Sequence, residues 1–200
     1  MSIKYQFNKT SLQQLEKHLK VRERALPTIK NKESALRVEV KKAKEEFHRL
    51  EDLLESKIQQ YDSMVALWGE FDTSLVKVND VHMVVKKIAG VKTPILEGVD
   101  FKIEPFSLFS KPSWFADGID LVKQLAQIGI EREFFYRKMI LLEHARKKTT
   151  QKVNLFEKVQ IPGYEDAIRK VKRFMEDEEN LSKSAQKIVK ERQQKKEAEG

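Results

Sequence analysis

The sequence predicts a mainly α chain: a long antiparallel two-helix coiled coil formed by its N- and C-terminal helices, with a short central insertion containing a β-hairpin-like element and a short helix. Three observations lead there. Apolar residues recur at three- and four-residue steps from Leu12 to Trp68, a second such series runs from Ile119 to Ile188, and the stretch between them alternates instead. Composition agrees, with 35% charged residues, seven Gly, five Pro and a mean hydropathy of -0.58 suiting long solvated helices.

The first series is Leu12, Leu15, Leu19, Leu26, Ile29, Leu36, Val40, Ala43, Phe47, Leu50, Leu54, Ile58, Tyr61, Val65 and Trp68. Its mean step of about 3.5 residues keeps the apolar seam on one side of a supercoiled helix. Residues 1–68 are therefore expected to form an N-terminal shaft helix. Arg22 and Glu33 fall on the seam, where they should weaken pairing locally and help fix its register. Pro27 removes a backbone donor and crowds the Glu23 carbonyl, so a kink or a helix start is expected there.

Residues 69–116 change character. Val81, Met83 and Val85 alternate with other residues, Gly90 and Pro94 punctuate, and Val99, Phe101 and Ile103 alternate again. Two short strands joined by a turn over Gly90–Pro94 follow from that pattern. Phe106, Phe109, Trp114 and Phe115 then give an aromatic connection with two readings, a loop packed on the helix ends or a docking surface for another protein.

Residues 117–200 resume the helix, with Pro162-Gly163 inside it. Either two helices meet there or one long helix bends near Pro162; seam spacing on both sides favours the bend, at a cost of about 3 kcal/mol for the lost bond and the ring clash.

With no cysteine, disulfides, thiolate nucleophiles and Cys-held metals are excluded. His18, His48, His82 and His144 lack metal-ligand spacing. Gly90-Val91-Lys92-Thr93 lacks the upstream glycine of a phosphate loop. No catalytic constellation and no cofactor site is expected. The net charge of +8 invites nucleic acid. Yet acids and bases interleave at i,i+4, as in Glu16 with Lys20, Glu33 with Arg37, Glu45 with Arg49, Asp166 with Lys170 and Glu179 with Lys183. That is the pattern of a solvated face, or of a surface for an acidic protein partner. No stretch of about 18 apolar residues is present, so no direct membrane insertion is expected.

Three segments, in order, carry a family resemblance. Leu26-Pro-Thr-Ile-Lys-Asn-Lys-Glu-Ser-Ala-Leu-Arg37, the turn Ile88-Ala-Gly-Val-Lys-Thr-Pro94, and Lys152-Val-Asn-Leu-Phe-Glu157 with Ile161-Pro162 together resemble the D subunit of V-type (archaeal and bacterial vacuolar-type) ATPases and ATP synthases. Glu33-Ser34 and Pro27 depart from that family's usual pattern. The resemblance implies a non-catalytic central-stalk rotor shaft, cytoplasmic and peripheral to the membrane. Its expected partners are the catalytic and non-catalytic nucleotide-binding ring subunits, the small F subunit of the stalk and the membrane-ring adaptor subunit. Expected ring contacts are Lys30, Lys32, Arg37, Lys183, Lys187, Lys190 and Arg192. Expected stalk-partner docking residues are Ile88, Gly90, Val91, Pro94, Phe106, Phe109, Trp114 and Phe115. Two competitors are the analogous F-type gamma shaft, whose Rossmann-like domain would not fit the insertion, and a basic coiled-coil protein that binds nucleic acid or scaffolds other helices.

Overall fold

The computed structural model of the chain describes residues 3–61, 68–107 and 111–198. In order, the elements are α1 (Lys9–Gln60), a 3-10 turn (Thr73–Leu75), β1 (Val76–Ile88), β2 (Val91–Ile103), α2 (Phe115–Leu155), a five-residue π turn (Phe156–Gln160) and α3 (Ile161–Ala198). Two compact units result, residues 1–31 with 149–200 and residues 32–148, and α1 and α2 contribute to both.

Helix α1 begins where Asn8 caps it. The Asn8 Oδ1 accepts from the Ser11 N–H at 2.7 Å, and the Ser11 hydroxyl accepts from the Gln6 N–H at 3.1 Å. Two backbone donors at the helix entry are satisfied in this way. The helix then passes through Pro27 without interruption, so the expected helix start at Pro27 is not found. Pro27 lies on the exposed face, where water can meet a carbonyl that has lost its helical partner. Val65, expected on the seam, lies outside the described residues.

Buried Leu15, Leu36, Ala43 and Leu50 are separated by whole heptads, the repeat expected of a coiled-coil seam. In the first unit, Glu16 meets Lys172 at 3.0 Å, Arg22 meets Gln160 at 2.7 Å and Lys30 meets Glu157 at 2.6 Å. Numbers rise along α1 as they fall along its partner, so the two run antiparallel. Leu15, Ala167 and Val171 form the core here, under Ile3, Tyr5 and Tyr164. The second unit repeats the direction: Glu33 with Arg146 at 3.9 Å, Phe47 with Tyr136 at 5.5 Å between ring centres, Glu51 with Arg132 at 3.8 Å and Lys57 with Gln124 at 2.7 Å.

At Pro162 the helix neither stops nor continues as plain α. The Ile161 N–H bonds the Phe156 carbonyl, one residue further back than in an α-helix, which makes the preceding turn π. A wider turn eases the crowding that proline imposes on the Lys158 carbonyl. It also inserts one residue into the repeat. Leu142 and Val171, both fully buried, are accordingly four heptads and one residue apart in sequence.

The hairpin is longer and its turn tighter than the sequence suggested. Each strand has 13 residues, and only Ala89 and Gly90 join them. Both have positive φ, 47° and 82°, which is the geometry that two-residue hairpins need to follow the strand twist. Pro94, expected in the turn, lies within β2 opposite Val85, where a two-stranded sheet can tolerate its missing donor. Register shifts near Asn79 and Glu97 break the alternation.

At the base of the hairpin, Phe71, Leu75, Phe115 and Ile119 form a core, with Trp68, Phe106 and Trp114 packed against it. The aromatic rings touch edge-on or tilted, with Trp114 and Phe115 centred 4.8 Å apart and Phe71 and Phe115 5.3 Å, the arrangement that the ring quadrupoles favour. Gly118 permits the approach of α2, since a β-carbon there would stand 3.0 Å from the Phe71 ring and 3.3 Å from Trp114.

Candidate functional site

No described residue of the first unit covers the end of α3. Every described side chain from Glu176 to Lys195 is exposed, among them Leu181 at 72% and Ile188 and Val189 at more than half. Leu181, Ala185 and Ile188 share one face at i, i+4, i+7, with Lys183, Lys187, Lys190 and Arg192 around it. An amphipathic helix that exposes its apolar stripe is built to be covered by something else. Lys183 is held by Glu179 at 2.7 Å and Lys187 by Glu191 at 4.0 Å; Lys190 and Arg192 form no ion pair among the described residues. The Lys183 ammonium lowers the Glu179 pKa, chiefly through that hydrogen bond.

Of the other expected ring contacts, Lys30 and Arg37 are already engaged within the chain. Lys30 is bound to Glu157. Arg37 meets Glu33 at 3.0 Å, and the Glu33 side chain is only 12% exposed. Arg146 also approaches Glu33 and forms a two-pronged bond to Glu143 at 2.7 and 2.8 Å, which holds the Glu143 carboxyl below its ordinary pKa. Arg22 donates to Gln160 and lies over the Tyr164 ring at 4.4 Å. The two polar seam residues thus have specific partners across the helix pair, as register-setting residues should. Of the expected i,i+4 pairs, those of Glu33, Asp166 and Glu179 form. Glu16 turns to Lys172 instead, Arg49 to Glu46 and Glu45 to Lys41.

The expected stalk-docking residues divide into two places. Ile88, Gly90, Val91 and Pro94 are at or near the hairpin turn, while Phe106, Trp114 and Phe115 are at its base. Thirteen-residue strands put about 40 Å between turn and base. Phe109 lies outside the described residues. Phe115 is 1% exposed, so its ring belongs to the chain's own core and offers no docking surface; Phe106 and Trp114 are half-buried against the same core. Sequence reasoning missed one neighbour altogether: the Lys32 Nζ would stand 3.2 Å from a β-carbon on Gly90. An expected ring contact and an expected stalk contact are therefore side by side.

Along the hairpin, β2 lies toward α2, with Pro94–Val99 facing Gln127, Glu131, Phe134, Phe135 and Lys138 across a cavity of about 200 Å³. Strand β1 is the outer one, exposing Met83, Val84 and Val85. On it the His82 Nε2 and an Asp100 carboxylate oxygen are 2.8 Å apart, with Asp80 at 3.8 Å. The hydrogen bond to Asp100, then its charge, raises the His82 pKa. At the base, Lys77 and Lys102 both bond Glu104 and lower its pKa, the hydrogen bond from Lys77 being the largest single cause. Among the described residues no group of three or more His, Asp or Glu is arranged to hold a metal ion, and no helix is long and apolar enough to cross a membrane.

Comparison with known proteins covers nearly the whole chain. The family described as the D subunit of ATP synthase matches residues 11–191. The D subunit of the V-type ATP synthase of Borreliella burgdorferi is 30% identical over 194 residues, 94% of each chain. The proteins of the same name from Chlamydia trachomatis and Chlamydia abortus are 28% and 26% identical, covering 88% and 86% of this chain and 90% and 82% of their own.

Proposed function

We propose that this chain, which belongs to the family of ATP synthase D subunits, is the central-stalk rotor subunit of a V-type ATPase or ATP synthase. It does no hydrolysis itself. It couples nucleotide turnover in a surrounding ring of catalytic and non-catalytic subunits to rotation of a membrane ring and to ion transport. The observation that carries this reading is the uncovered end of α3, where Leu181, Ala185 and Ile188 form an apolar stripe flanked by Lys183, Lys187, Lys190 and Arg192. A ring that encloses such a helix covers the stripe from all sides, while exposed lysines give many weak and interchangeable contacts, each worth roughly 0 to 1 kcal/mol. No single angle is then held too tightly.

The uneven seam supplies direction. Arg22 and the π turn interrupt the seam side by side in the first unit, and Glu33 interrupts it in the second, so the chain presents different side chains to different neighbours. An angular position that favours one open nucleotide site is, by linkage, favoured when that site is in the matching state. Docking to the small stalk subunit and the membrane-ring adaptor falls to the second unit, through the hairpin turn at Ile88, Gly90, Val91 and Pro94 and the half-buried rings of Phe106 and Trp114.

Removal of residues 176–200 is the direct test. The thermal midpoint of the free chain should stay within a few degrees of the parent, because the removed side chains pack on nothing described. Co-purification with a nucleotide-binding hexamer should be lost. Retention of the hexamer by the truncated chain would overturn the assignment.

A further inference from the structure

The hairpin turn gathers positive charge that the chain leaves unmatched. Lys87 stands directly opposite Lys92 beside the turn, and Lys86 is one step further along β1, opposite Thr93. A fourth lysine arrives from another element, because the Lys32 Nζ of α1 reaches Gly90. None of the four forms an ion pair among the described residues. Like charges directly opposite one another destabilise a ladder, and Ala89 holds a φ of 47°, which an L residue enters only at a cost. Local choices here work against the hairpin, and such conflicts concentrate where a partner resolves them. On the same face of β1 as Lys87, Met83 and Val85 are 60% and 65% exposed, and among the described residues the sheet has two strands, so β1 has no described strand on its outer edge.

We infer that the hairpin tip is a docking site for a carboxylate-rich segment of another protein subunit, seated on Lys87 and Lys92 with Lys32 beside the turn, its apolar side chains against Met83 and Val85, which alternation puts on the Lys87 face of β1 and away from Lys86. The opposed ammonium groups of Lys87 and Lys92, with the Lys32 ammonium at the turn, select an anionic partner, and Met83 and Val85 on the same face as Lys87 select one with apolar side chains interleaved among its acids. A bare phosphodiester backbone would leave those two uncovered. The inference rests on the proposed place of this chain in a rotary assembly, which puts protein subunits rather than a bilayer around the hairpin. It assigns to the turn a chemistry of recognition and adds Lys32, Lys87 and Lys92 to the surface.

Carbodiimide coupling in the purified complex tests it, because this reagent joins lysine amines to carboxylates already in contact. Peptide mass spectrometry should find Lys87 or Lys92 joined to Asp or Glu of a single segment of one neighbouring subunit. The K87Q/K92Q variant should retain that subunit about tenfold less well on washing, with a loss that added salt reproduces in the parent. The K87R/K92R variant should retain it at the parent level, which separates charge from folding. Tip lysines that couple only within this chain, or to nothing, while the nucleotide-binding ring still co-purifies would overturn the docking site and leave the stalk assignment standing. A ring absent from the parent preparation would overturn both. Flotation of the free chain with phosphatidylcholine–phosphatidylserine vesicles that K87Q/K92Q abolishes, without coupling to any protein, would assign the tip to lipid and overturn it as well.

Discussion

Replacing Phe115 by alanine separates two meanings that an aromatic run can have. Phe115 is 1% exposed and stacks against Phe71 and Trp114, so its loss removes a fully buried ring and the edge contacts on both sides. Phe→Ala at such sites costs about 3–5 kcal/mol, whereas a substitution on a docking surface would stay within about 0.5 kcal/mol. The chain's two tryptophans, Trp68 and Trp114, both pack on this core, so tryptophan fluorescence in a urea titration reports the unit directly. With a urea slope of about 2 kcal/mol per molar, the midpoint should fall by roughly 1.5–2.5 M. Phe115→Leu, which keeps most of the volume, should cost only about 1.5 kcal/mol. A Phe115→Ala midpoint within about 0.3 M of the parent would refute the assignment of Phe115 to the core.

The remaining predictions concern the seam and the hairpin. Arg22→Ala removes the bond to Gln160 and the contact over Tyr164, and should lower stability by about 1–2 kcal/mol in the same titration. Gly90→Val puts a β-branched residue at a φ of 82° and should destabilise the hairpin by about 1–2 kcal/mol, seen as faster amide exchange in β1 and β2. The His82 pKa should lie above the ordinary value and move down in Asp100→Asn, read by NMR titration of the ring. Because this pKa is raised on folding, the pair stabilises the hairpin below about pH 6.5 and loses that contribution as pH rises through the folded value. Glu104 works in the opposite direction: its lowered pKa gives stability above about pH 4.3 that is lost on acidification. Exchange measured across pH should therefore show the hairpin base weakening in acid while the His82 segment tightens.

The helices were legible because a heptad seam is a one-dimensional pattern: the spacing of Leu15, Leu36, Ala43 and Leu50 alone marks the buried face. The polar interruptions were legible for the same reason, although their partners Gln160 and Arg146 were not, since a residue's place on the facing helix is not written next to it. At Pro162 the sequence shows a missing donor but not how the backbone absorbs it, and a π turn of one extra residue is one of several solutions. The hairpin was visible, but its strands were cut short, because the bulged residues Asn79 and Glu97 break the period of two and Pro94 reads as turn chemistry while sitting in a strand. Phe115 beside Trp114 read equally well as surface or core until Phe71 and Gly118 came against them. Lys32 at Gly90 joins residues far apart in sequence, and no local pattern announces it.

Whether the end of α3 is enclosed by a ring is the point on which the account turns. Since the chain has no cysteine, a single one placed by Leu181→Cys can be labelled with a maleimide in the free chain and in the purified complex. At a position 72% exposed in the chain alone, the free protein should react rapidly. In the complex the rate should fall by about tenfold or more, as for a side chain in an interface core. Equal rates in the two states would contradict the central claim.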